Sequence, residues 1–162
     1  MSLSAPFIAI SKANPVFETI AKALQSNGIQ GFLIGGFVRD MLLNRPCKDI
    51  DISVLGDGIA AAQITAKALG IPNQVNVFKT FGTAMIKYHE YDIEFVGARK
   101  ESYSSDSRKP SVSSGTLEDD QKRRDFTINA LAISLNKEDY GHLLDAFNGI
   151  SDLEDGILRT PL

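Results

Sequence analysis

Apolar and polar positions alternate along this chain in two distinct rhythms. Val16, Ile20, Ala23 and Leu24 recur at helical spacing, which predicts a helix over Val16–Gln25. Asn14-Pro15 reads as its cap and first turn, and Gly28 as its stop. Gly31–Ile34 is a short apolar run and predicts a strand, broken by Gly35-Gly36. A short helix is expected over Phe37–Leu43. Asp49–Leu55 then alternates apolar with acidic or small residues, the period of a strand. Gly56-Asp57-Gly58 is a turn into a helix over Ile59–Leu69, stopped at Gly70. Three strands are expected at Gln74–Phe78, Ala84–Tyr88 and Tyr91–Val96, the last two joined by the tight turn His89-Glu90.

Beyond them the rhythm fades. Ser102–Ser114 is rich in serine and lysine, contains a proline, and predicts a mobile loop. Leu117–Arg124 has a helical pattern, and Asn129–Leu135 fits a helix or a strand. Helices and strands are mixed, so the expected class is α/β or α+β with a mixed sheet.

Composition narrows the picture. At 162 residues and 43% hydrophobic, the chain suits one folded domain with a real core. No apolar run reaches the length of a membrane span, and Met1–Ile10 lacks the pattern of a signal peptide. A single cysteine, Cys47, excludes an intramolecular disulfide and a cysteine-rich zinc site, and points to a reducing, cytoplasmic setting. The net charge of −3 lacks the basic excess of a self-sufficient nucleic-acid binder. If the domain acts on RNA, most of the phosphate grip should come from elsewhere.

Four clusters carry candidate chemistry. In Gly35-Gly36-Phe37-Val38-Arg39-Asp40, glycines between a strand and a helix allow close approach of a phosphate, and Arg39 adds a fork of donors. The same stretch also reads as a plain strand-to-helix turn. Its spacing is not that of a dinucleotide fingerprint. In Asp49-Ile50-Asp51, period two sets both carboxylates on one strand face, an arrangement suited to a hard divalent cation such as magnesium. A solvated edge strand is the plainer alternative.

Asp92-Ile93-Glu94 repeats the arrangement. Glu94, flanked by Ile93 and Phe95, is the favoured third carboxylate, and Asp92 beside the turn is expected to be solvated. In Asp120–Ala130, Arg123 and Arg124 suit a triphosphate, with Asp125 positioned to orient one of them. Thr127 or Asn129 would cap the next element or meet a ribose. Ion pairs along a solvated helix would give the same letters. His89 and His142 lie near expected turns and read as surface residues.

In order, these residues resemble a known family. Leu33–Leu43 with Lys48-Asp49-Ile50-Asp51 is similar to the glycine and D-x-D signature of class II tRNA nucleotidyltransferases, which include CCA-adding enzymes and bacterial poly(A) polymerases. Arg123–Ala130 resembles the second signature of that family, and Ala98–Tyr103 with Thr116–Asp120 the borders of its flexible loop. Asp152-Leu153 and Gly156–Arg159 look like its passage into a neck. One departure is Asp145-Ala146-Phe147-Asn148-Gly149, which has alanine where the family usually has proline.

The resemblance implies a nucleotidyltransferase head over residues 1–150 and the start of a neck over 151–162. It implies magnesium held by Asp49 and Asp51; Glu94, from its place on the strand, is the further catalytic acid expected. Gly35, Gly36, Arg39, Arg123, Arg124, Asp125 and Asn129 would form the nucleotide pocket. CTP or ATP would be the donor, and the 3′ hydroxyl of RNA, such as a tRNA end, the acceptor. The neck motif that reads the base lies beyond these residues, so the sequence is expected to be a piece of a longer protein.

Overall fold

The computed structural model describes residues 2–102 and 111–161. In chain order these form β1 (Ser2–Leu3), α1 (Ala5–Ala13), α2 (Val16–Ser26), β2 (Gly31–Ile34), α3 (Gly36–Leu42) and β3 (Asp49–Val54). Next come α4 (Gly58–Ala68), β4 (Val75–Phe78), β5 (Thr83–Tyr88), β6 (Tyr91–Gly97), β7 (Arg99–Ser102) and β8 (Ser111–Ser114). The last elements are α5 (Leu117–Lys122), β9 (Ala132–Ser134), β10 (His142–Leu144) and α6 (Gly149–Asp155). Short 3-10 turns occupy Lys79–Phe81 and Thr127–Asn129.

Among the described residues, eight strands form one mixed sheet in the order β1-β10-β9-β2-β3-β6-β5-β4. Every neighbouring pair is antiparallel except β3 and β6, which run parallel. A parallel pair needs a crossover. Here α4 with β4 and β5 supplies it.

The pleat divides the sheet into two faces. Leu33, Ile50, Ile52, Val54, Ala84, Ile86, Ile93, Phe95 and Ile133 share one buried cluster with residues of α1 to α4. The helix α2 supplies Val16, Phe17, Ile20, Ala21 and Leu24 to it, as its periodicity predicts. On the opposite face Phe32, Ile34 and Ala132 form a smaller cluster packed by Leu55, Leu117 of α5 and Leu144.

The structure departs from the sequence reading in several places. Helix α1 was not expected. Ser4 caps it by accepting from the Phe7 N–H, Pro6 sits in its first turn, and Phe7 packs edge-on against Phe17 at 5.6 Å. Both ends of the expected loop over 102–114 are strand instead: Ser102 ends β7 and Ser111–Ser114 form its partner β8, while residues 103–110 lie outside the described residues. Asn129–Leu135 divides between the end of a 3-10 turn and β9. His142 lies in β10, half-buried, and not at an exposed turn, whereas His89 is exposed at its turn with φ 53°. The pairing of β10 with β9 and β1 puts His142 inside the sheet.

Candidate active site

The strands β3 and β6 lie side by side with Asp49 opposite Asp92 and Asp51 opposite Glu94. Period two then turns all four carboxylates to the face away from the main core. They differ in depth. Asp49 is exposed at the start of its strand, and Asp51 and Glu94 are half-buried. A cleft of about 490 Å³ opens on this face. Asp51, Glu94, Arg123 and Arg124 line it, together with Thr83, Met85, Phe78 and Phe81.

Burial pushes the Asp51 carboxyl up to about 6, and Glu94 and Asp49 push the same way by repulsion, while Arg124 opposes them. Two carboxylates forced together in a half-dry cleft fit a hard divalent cation, which would relieve the repulsion and use their oxygens. The donor set is open: among the described residues, no three His, Cys, Asp or Glu side chains converge as a closed metal cluster.

Gly35 joins the acids to the cations. Its φ of 81° is a conformation that glycine adopts freely. A Cβ there would lie 3.2 Å from Arg124 Nη1 and 3.6 Å from Asp51 Oδ2. No side chain caps the helix start that follows.

Arg123 and Arg124 are both anchored by Asp120, which is fully buried. Arg123 Nε donates to Asp120 Oδ1 at 2.7 Å, and Arg124 Nη2 to Oδ2 at 3.3 Å. The sequence reading gave this role to Asp125. Asp125 instead accepts from its neighbour Phe126 N–H at 2.7 Å and from Asn129 Nδ2 at 3.0 Å. The Asn129 bond, more than any other cause, holds its carboxyl below the usual range. The spacing of Asp120, Arg123 and Arg124, i, i+3 and i+4 on a helix, was the signal that pointed to the true partner.

Arg39, Asp125 and Asn129 form a second cluster on the other side of Gly35. Arg39 Nη1 donates to Asn129 Oδ1 at 2.8 Å, and Arg39 Nε to Asp40 Oδ1 at 3.0 Å. A Cβ on Gly36 would lie 3.3 Å from Arg39 Nη2, so the guanidinium folds back over the glycine turn. The expected site residues therefore fall into two groups. Asp51, Glu94, Arg123 and Arg124 share the cleft. Gly36, Arg39, Asp125 and Asn129 are linked to one another and do not line it, nor does Asp49, which stands at the exposed strand start.

Thr127 was expected to cap an element or meet a ribose. Its hydroxyl instead donates to buried Asp152 of α6 at 2.6 Å, and its N–H to the Arg159 carbonyl at 2.8 Å. Gly149 begins α6 so close that a Cβ would come within 2.3 Å of the Thr127 carbonyl oxygen. The segment carrying Asn129 is thus fixed from behind. No helix among the described residues is long and apolar enough to cross a membrane.

Comparison with known proteins identifies the family and the fold. Residues 31–159 match the family described as Poly A polymerase head domain. The chain is 42% identical over 132 residues to an A-adding tRNA nucleotidyltransferase of Aquifex aeolicus, covering 82% of this chain and 16% of that protein. It is similar to a solved CCA-adding enzyme in apo form II, with TM-score 0.86 and 32% identity over 100% of this chain and 39% of that one. A tRNA nucleotidyltransferase complexed with a primer tRNA and an incoming ATP analog matches with TM-score 0.73 and 38% identity, covering 88% of this chain and 39% of that one. The chain spans less than half the length of each of these relatives.

Proposed function

The chain belongs to the Poly A polymerase head domain family, and from that premise we propose that it is the catalytic part of an RNA nucleotidyltransferase. The reaction transfers a nucleoside monophosphate from CTP or ATP to the 3′ hydroxyl of RNA, with a tRNA end as the acceptor. The 3′ oxygen bonds to the α-phosphorus, the bond to the bridging oxygen breaks, and pyrophosphate leaves. No covalent enzyme intermediate is needed, because positioned charge carries most of this chemistry. The observation that carries the reading is the lateral pair Asp51 and Glu94 facing Arg124 beside the Gly35 bend.

Asp49 and Asp51 would hold magnesium, with Glu94 beside them. Bound magnesium lowers the pKa of an attacking hydroxyl and neutralises charge on the phosphates. Gly35 and Gly36 leave room for the phosphate chain. Arg123 and Arg124, already aligned by Asp120, bind its oxygens as the leaving group gains charge. Arg39 adds a further guanidinium, held in place by Asn129, which Asp125 holds in turn. A cytoplasmic setting fits such a role.

The test supplies the protein, as its gene encodes it, with magnesium, tRNA that lacks its 3′ end or that ends in CC, and labelled CTP or ATP separately. Extension with release of pyrophosphate is expected. Incorporation of both nucleotides marks CCA addition, ATP alone onto a CC end marks A addition, and long A tracts mark a poly(A) polymerase. Bound tRNA with no extension by either nucleotide would sink the reading.

A further inference from the structure

One wall of the cleft has no part in the reaction as described. Phe78 and Phe81 are 47% and 72% exposed, yet both border the cavity that holds Asp51 and Glu94. Large apolar side chains scattered singly on a surface need no explanation, but two rings on the rim of one polar cleft do. Local structure aims them there. Phe78 ends β4 opposite Thr83, and Thr83 pairs with Val96 of β6. Thr83, Val96, Met85 and Glu94 all line the cleft, so cross-strand pairing puts Phe78 on the same face. Phe81 ends the 3-10 turn that follows, and Gly82, at φ 64°, turns the chain into β5.

Across the sheet the cleft is ordered by chemistry. Arg123, Arg124 and Gly35 lie at the β2 end, the acids on β3 and β6, Arg99 just past the end of β6, and the rings beyond β5. In-line transfer places the attacking and leaving oxygens on opposite sides of the phosphorus. With pyrophosphate held on the arginine side, the attacking 3′ end enters from the side of the rings. Two strand spacings separate β6 from β4, about 10 Å, the scale of one ribose with its base. Proteins recognise single-stranded RNA ends by stacking unpaired bases on aromatic faces.

Resting on the transferase reading, we infer that Phe78 and Phe81 form a stacking wall for the terminal nucleobase of the acceptor RNA. Their partner is the base that carries the attacking hydroxyl, not the base of the incoming nucleotide. Every base has a π-face, so such a wall accepts whichever nucleotide was added last.

The experiment compares Phe81→Ala, Phe81→Trp and the Phe78→Ala/Phe81→Ala double variant in the protein as its gene encodes it. Each is assayed at saturating nucleotide on one RNA ending either in a normal nucleotide or in an abasic ribose. Phe81 is so exposed that its loss leaves the fold in place, and thermal melting checks this. The expected result is a rise of roughly 5- to 100-fold in KM for the base-ended RNA. The KM for nucleotide stays unchanged, Phe81→Trp restores the wild-type value, and the abasic acceptor is insensitive to the substitution. Equal losses on both acceptors, or an unmoved double variant, overturn the inference. A rise in the nucleotide KM alone also overturns it, because it assigns the rings to the incoming base. Wild-type protein that extends no RNA overturns the transferase reading and this inference with it. Normal wild-type extension with unmoved variants overturns only this one.

Discussion

The two faces of β3 and β6 are built from alternate residues of the same strands and live in opposite environments. On one face Ile50, Ile52, Ile93 and Phe95 are at most 1% exposed beneath four helices. On the other stand Asp49, Asp51, Asp92 and Glu94, of which Asp51 and Glu94 line a half-open cleft side by side. A fully buried side chain of the first kind contributes roughly 1.5–3 kcal/mol. Ionising Asp51, whose carboxyl titrates near 6 and not at 3.8, costs on the order of 2–3 kcal/mol. One isoleucine on the core face therefore offsets the strain of one acid on the other. The pleat lets a single strand pair carry stability and chemistry one residue apart, with little interference between them.

The sharpest way to break this division is Asp51→Ala. Transfer should fall by about a thousandfold or more, the several kcal/mol that a carboxylate would supply as a metal ligand, while the melting temperature holds or rises. A parallel loss of stability would show that the faces are not independent. Phe95→Ala tests the opposite face. It should cost roughly 3–5 kcal/mol of stability, read by denaturant unfolding, with turnover per folded molecule nearly unchanged.

Asp51→Asn sharpens the comparison through pH. An acid whose folded value is raised destabilises the fold once it ionises. The penalty is absent below 3.8, grows as pH rises toward about 6, and is constant above it. In chelator, Asp51→Asn should therefore melt higher than wild type above about pH 6 and no higher below 3.8. Millimolar magnesium should close the gap by stabilising only the wild type. The smallest effect is expected from Asp92→Asn. It lies on the same face but outside the cleft lining, so its kcat should stay within about twofold of wild type, whereas Glu94→Gln should fall well below it.

Much of the cleft face was legible in the sequence because its signals are local. Asp49-Ile50-Asp51 and Asp92-Ile93-Glu94 announce a strand by their alternation, and Gly35-Gly36 announces the bend that ends β2. What the sequence concealed depends on partners distant in the chain. Strands β1 and β10 are only two and three residues long, too short to show a period, and exist because β10 pairs with β9 and β1 with β10. Helix α6 has little apolar pattern. It forms because Asp145 accepts from the Gly149 and Ile150 N–H groups and because Asp152 meets Thr127. Asp120 was overlooked because Asp125 is adjacent to the arginines in sequence, although a helix brings residues three and four apart together.

The parallel match of Asp49 with Asp92 and Asp51 with Glu94 has a consequence for how the chain finds its shape. If either strand slipped by one residue, its own pair of acids would be driven into the main core beneath the helices, and its buried apolar residues out into water. Misaligned sheets are therefore ruled out by the same residues that would do the chemistry. The four acids would thus also act as sentries during folding, and replacing them all with neutral residues of similar size would leave that checkpoint unguarded.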